Sequence, residues 1–169
     1  MLIGVLSDTH GYVDPRLAAA FDGVAAIVHA GDVGGAHVLD ALRGIAPLYA
    51  VHGNNDERLG GLGLPLRLDF ELGGVRFHLV HQRPHARPGE DTQVVVFGHS
   101  HRTLVERRGE LTYVNPGAAG RAGFHRLQTA ALLRLDGAAI DARIVELGPR
   151  EATARTRTRR RAAVAPRTG

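Results

Sequence analysis

Five short polar stretches hold the side chains of this chain best suited to gripping a metal ion or a phosphate. They are SDTH (7–10), AGD (30–32), GNND (53–56), LVH (79–81) and GHSH (98–101). Each closes an apolar run that reads as a strand, and in open α/β sheets ligands gather outside the carboxyl ends of strands. Taken singly, each has an ordinary reading. Asp8 and His10 can cap the next segment, Asp32 before Val-Gly-Gly can be a turn residue, and Asn54-Asn55 is common turn chemistry. Five in the same position, all with oxygen or imidazole donors, favour a shared site. The chain has no cysteine, which excludes thiolate sites and disulfides. Any metal must then be held by His, Asp, Glu, Asn or water, a donor set for manganese, iron, zinc, cobalt, nickel or magnesium.

The elements that would position these clusters alternate in the first half. LIGVLSD (2–8), VAAIVHAGD (24–32) and PLYAVHGNND (47–56) read as strands. Between them lie two helices: one opens at DPRLAAAF, with Asp14 as N-cap and Pro15 as first helical residue, and one spans GAHVLDALRG (35–44). This βαβαβ order predicts parallel strands with right-handed crossovers. The second half changes character. LRLDFEL and VRFHLVH (66–81) flank Gly73-Gly74, a hairpin signal, and further strands are predicted at 93–101, 110–117, 129–137 and 138–147. The fold class expected is α/β: two mixed sheets face to face with helices outside, a four-layer αββα sandwich.

At 169 residues the chain has room for one domain with a real core, and its 44% hydrophobic share fits a globular protein. No apolar run approaches the ~20 residues of a membrane span, so no membrane association is expected. The N-terminus has no basic leader and reads as a strand, so a cytoplasmic location is expected. The net charge of +4 is unevenly spread: seven arginines and one acid lie in residues 150–169. That stretch lacks the apolar residues of a core. The organisation predicted is a domain over 1–149 and a disordered arginine-rich tail over 150–169, with nucleic acid as an alternative partner for the tail. A homo-oligomer is compatible with the sequence.

Together, the pattern D-x-H, G-D, G-N-x-D, H and G-H-x-H resembles the calcineurin-like metallophosphoesterases, in particular the small YfcE-type phosphodiesterases, whose fold also occurs in the retromer sorting subunit. The resemblance implies a dinuclear centre. Asp8, His10 and His101 would hold one ion, Asn54, His81 and His99 the other, and Asp32 would bridge them. Two divalent ions are expected, manganese first, with Ni, Co, Fe, Zn or Mg as alternatives. The expected activity is hydrolysis of a small phosphodiester by a water bridging the ions, which must sit about 3.5–4 Å apart. His99 and His101, two apart in an extended segment, would each serve a different ion. The competing classes are a non-catalytic metal-binding scaffold of the same fold and a nuclease or nucleotide hydrolase.

Around the ligands, the resemblance implies that Asn54, Asn55 and Asp56 form the catalytic group, with Asp56 expected to orient the Asn54 loop by hydrogen bonds. Asn55 stands where many such enzymes carry a histidine able to protonate the leaving oxygen. An amide does not titrate usefully, so it cannot be that acid. His125 and His85 are the candidate replacements. His29 is read mainly as a packed strand residue, with an orienting role as the alternative. The segment NPGAAGRAGFHR (115–126) matches the resembling family's Asn-Pro-Gly segment at the floor of the site, with Arg121 and Arg126 as possible phosphate contacts.

Overall fold

The computed structural model describes residues 1–137 and 139–150. Two five-stranded mixed sheets lie face to face. The first runs in the order β10 (Ala139–Pro149), β9 (Leu127–Asp136), β1 (Leu2–Leu6), β2 (Ala26–His29), β3 (Leu48–Ala50). Its β1, β2 and β3 are parallel, and β9 and β10 return antiparallel. The second runs β4 (Arg67–Leu72), β5 (Val75–Val80), β6 (Val94–Val96), β8 (Leu111–Pro116), β7 (Thr103–Arg108). Here β5, β6 and β8 are parallel, and the edges β4 and β7 are antiparallel.

Side-chain alternation explains the layers. On β1, Ile3 and Val5 point into the space between the sheets, where they meet Phe77, Leu79, Val94 and Val96. Leu6 turns to the other face and joins Ile27, Leu132 and the helices. Those helices are α1 (Arg16–Ala20) and α2 (Ala36–Arg43). In α2, Val38, Leu39 and Leu42 recur at helical spacing and are buried, each contributing roughly 1.5–3 kcal/mol relative to exposure. Helix α1 starts one residue later than the sequence suggests: Pro15 is the cap residue and Arg16 the first helical one, so Asp14 lies just outside the helix and braces its first turn. Its carboxylate accepts from the Arg16 amide at 2.9 Å and pairs with the Arg16 guanidinium at 2.6 Å.

The outer face of the second sheet is covered more thinly. A 3-10 turn, Arg83–His85, leads into Ala86, which packs with Val95, Phe97 and Tyr113. Arg83 lies over the Phe97 and Tyr113 rings while pairing with Glu106 at 2.8 Å. Strand β7 was not foreseen: TLVERR is half charged and lies on an edge, where only alternate residues are covered, so the apolar signal of a strand is weak. Arg150, assigned to the tail by composition, belongs to the folded body. Its guanidinium donates to the carbonyls of His125 and Arg121 at 2.9 and 2.8 Å. The rest of the arginine-rich stretch, 151–169, lies outside the described residues. Among the described residues, no helix is long and apolar enough to cross a membrane.

Candidate metal centre

Parallel strands place their carboxyl ends along one rim. The turns after β1, β2, β3, β5 and β6 therefore meet, and they carry all seven residues that the sequence singled out as metal ligands. Neighbouring turns are tied by continued pairing. Asp8, His10 and Gly11 donate their amides to the carbonyls of Gly31, Asp32 and Val33, while Gly98 donates to His81. The two sheets are joined at the site itself, where the His99 amide donates to Asp8 Oδ2 at 3.0 Å. Gly53 and Gly98 permit this closeness, since a Cβ on either would collide with Asp32 Oδ1 or Ser7 Oγ respectively.

Backbone conformation marks the same residues. Asp8, His10, Asp32, His99 and His101 all have positive φ, and the only other described non-glycine residue that does is Leu62. Left-handed backbone costs non-glycine residues of order 1–3 kcal/mol each and persists where the surroundings impose it. This corrects one expectation. His99 and His101 do not lie in an extended segment; β6 stops at Val96, and both residues sit in left-handed turns at φ 68 and 56. Extended residues two apart would point the same way, whereas successive turns aim these rings at different neighbours.

The side chains form two adjoining groups. In one, His101 Nε2 lies 3.1 Å from Asp8 Oδ1 and 3.3 Å from His10 Nε2. In the other, His81 Nε2 lies 3.5 Å from Asp32 Oδ1 and 3.1 Å from Asn54 Oδ1. The donor atoms of Asp8, His10 and His101, and those of Asp8, Asp32 and His81, are close enough to share an ion. Asp32 spans the two groups, with Oδ2 3.8 Å from His10 Nε2 and Oδ1 facing His81. His99 is more peripheral, exposed, with its ring edge-on to His81 at 5.2 Å between centroids.

Electrostatics distinguishes the members. Burial opposes ionisation of Asp32, but the hydrogen bond and charge of His81 and two hydrogen bonds from Asn55 hold its carboxyl far below the usual carboxylate range. Burial also opposes charging His81, yet the hydrogen bond it donates to Asp32 and the charges of Asp8 and Asp32 raise its pKa. For His10 burial prevails, and its pKa is lowered despite Asp32 and Asp8. Asp8 Oδ1 is buried and accepts no hydrogen bond, although His101 Nε2 is near. Leaving a buried acceptor unsatisfied costs about 1–3 kcal/mol, more for a charged one, so this donor set fits a cation.

The neighbouring residues take up defined tasks. Asn55 donates its amide to Asp32 Oδ1 at 2.9 Å and its Nδ2 to Oδ2 at 2.6 Å, clamping that carboxylate. The Asp56 carboxylate is buried and accepts from the amides of Val33, Gly34 and Gly53 at 2.8–2.9 Å. It fastens the Asp32 turn to the Asn54 turn and is a positioning residue. His29 is more than a packed strand residue. It is fully buried, its Nδ1 accepts from the Gly31 amide, and its Nε2 meets Thr9 Oγ1 at 2.9 Å, between Asp8 and His10. Burial pushes its pKa down to about 4, so it is neutral in the fold. Asn115 holds the floor, its Nδ2 donating to Gly98 O at 2.9 Å. Arg121 reaches back to the Tyr12 hydroxyl at 2.8 Å. A cleft of about 420 Å³ opens beside Asn54 and His81, walled by His52, Leu66, Arg67 and His85.

Known proteins resemble this chain in sequence and fold. The calcineurin-like phosphoesterase superfamily domain matches residues 1–138. A probable metallophosphoesterase of Methanothermobacter thermautotrophicus is 32% identical over 167 residues, covering 88% of this chain and 94% of the relative. The solved structure of the E. coli phosphoesterase YfcE aligns with a TM-score of 0.62 at 25% identity, over 88% of this chain and 100% of that one. Vps29 from Entamoeba histolytica, solved in complex with zinc, aligns with a TM-score of 0.65 at 19% identity, over 88% and 100%. The chain belongs to the calcineurin-like phosphoesterase superfamily.

Proposed function

Starting from that family, we propose that the protein is a two-metal phosphoesterase acting on diesters whose leaving group departs without a proton. The observation that carries the reading is Asp8 Oδ1, a buried carboxylate oxygen with no hydrogen bond and with the Nε2 atoms of His101 and His10 3.1 and 3.8 Å away. Asp8, His10 and His101 would hold one divalent ion, and Asn54, His81 and His99 the other, with Asp32 shared between them. Manganese is the ion expected first. Bound ions of this kind supply Lewis acidity to phosphoryl oxygens and lower the pKa of a water toward neutrality.

The chain's own residues set the rest. Asn55 restrains Asp32 and keeps one side of its amide for hydrogen bonding a phosphate oxygen, but it gives no proton. His125 does not fill that role either, because both its ring nitrogens are engaged, with His101 Nδ1 and with Gly120 O. The cleft walled by Leu66, Arg67 and His85 offers room for an ester substituent beside the metal ligands.

The test is to strip the protein with chelator, titrate it with Mn²⁺, count the ions bound and compare substrates. Two ions per chain are expected, with bis(4-nitrophenyl) phosphate hydrolysed faster than an alkyl monoester by about 10²–10⁴-fold, the usual worth of a missing general acid. No bound ion would overturn the reading. Two bound ions with no turnover of any ester would replace it with a metal-binding docking scaffold.

A further inference from the structure

The loop after β8 brings a second histidine against a proposed metal ligand. His125 Nδ1 lies 3.3 Å from His101 Nδ1, and the rings meet edge to face at 5.2 Å between centroids. On its far side, His125 Nε2 lies 3.0 Å from the carbonyl oxygen of Gly120. The loop is itself fastened from the residue after β10: the Arg150 guanidinium donates to the His125 carbonyl at 2.9 Å and the Arg121 carbonyl at 2.8 Å. Gly123 closes over the contact, where a Cβ would collide with His101 Nδ1.

Proton bookkeeping gives this chain a direction. A carbonyl oxygen only accepts, so the neutral His125 ring carries its hydrogen on Nε2 and donates it to Gly120. Its Nδ1 is then a bare acceptor. The short contact with His101 Nδ1 is a hydrogen bond only if His101 carries its own hydrogen on Nδ1. That leaves His101 Nε2 as the bare lone pair, and Nε2 is the atom 3.1 Å from Asp8 Oδ1. The tautomer of a metal-binding histidine is set by the partner of its other nitrogen, and that partner also orients the ring.

We infer that His125 is a positioning residue that fixes the tautomer and orientation of His101, and so sets the affinity of one of the two metal sites. The inference rests on the metal-centre reading above. Its role lies with His101 and not with the leaving group, which removes His125 as the substitute acid.

The experiment measures the two metal dissociation constants of chelator-stripped protein by competition, together with the visible spectrum after Co²⁺ loading. The proteins compared are wild type, His125→Phe and His125→Asn. His125→Phe keeps a flat ring without nitrogens and should weaken one site by about 10–100-fold, the usual loss for such an outer partner, while sparing the other. His125→Asn places an acceptor oxygen near the former Nδ1 and should recover part of that loss. The Co²⁺ spectrum should change in His125→Phe at the affected site only. Wild-type affinities at both sites in His125→Phe would overturn the inference. So would equal weakening of both sites accompanied by a lower melting temperature of the stripped protein, which marks a structural role. Wild type binding no ions would instead overturn the metal-centre reading, and this inference with it.

Discussion

The two halves of the candidate centre are built by different means. In the half made by Asp32, His81 and Asn54, the key imidazole is buried and its Nδ1 is held directly by the Ala30 carbonyl at 2.7 Å, on the adjoining sheet. In the half made by Asp8, His10 and His101, both rings are partly exposed, and His101 is held at second hand through His125. One brace is backbone next to a core strand, and the other is a side chain on a surface loop. Both reach the same end, a histidine whose Nε2 faces carboxylate oxygen. A carbonyl brace cannot be changed by substitution, whereas a histidine brace can. The first half is thus fixed by the fold and the second is adjustable by sequence.

The largest expected effect is the one that erases the comparison. Asp32→Ala removes the carboxylate that touches both halves, and both ions should be lost. The fall in metal affinity should exceed the ~10–100-fold typical of outer partners. Isothermal titration with Mn²⁺ measures it, and two sites of undiminished affinity would show that Asp32 is no bridge. Next come the single-sided variants. His81→Ala and His101→Ala should each reduce the stoichiometry from two ions to one, with different ions surviving. Co²⁺ spectra of the two variants should therefore differ, and identical spectra would mean that the halves are not separate sites.

The smallest effect acts on both halves together. His29 holds the Thr9 turn of one half and the Gly31 turn of the other. Its pKa is lowered from 6.5 to about 4 by burial, so the unfolded chain takes up the proton first as pH falls. The stabilisation from keeping it neutral is complete above pH 6.5, declines below that and is gone near pH 4. The loss amounts to about 3 kcal/mol at 1.36 kcal/mol per pKa unit. Urea unfolding of the chelated protein should show this slope, reduced in His29→Gln. An unchanged slope in that variant would assign the acid sensitivity elsewhere.

The sequence by itself determined the candidate donors and their address. Asp8, His10, Asp32, Asn54, His81, His99 and His101 follow apolar runs, and runs that are apolar throughout, buried on both faces as at residues 3–6 and 94–96, make parallel strands whose carboxyl ends can converge. The Gly73-Gly74 hairpin was legible for the same local reason, since both glycines take positive φ. What local signals could not supply were relations between distant residues. β7 is an edge strand stabilised by pairing with β8, and its own composition says little. The Asp56 carboxylate is held by amides 22 and 23 positions away, and His29 is held by Thr9 20 positions away. The left-handed turns at His99 and His101 are imposed by the junction of two sheets, where His99 must donate to Asp8. The role of His125 depends on a contact across 24 positions and on Arg150 beyond β10. Donor chemistry is a property of residue type and can be read from the chain; orientation and tautomer come from the partner on the other side of the ring, which only tertiary packing supplies.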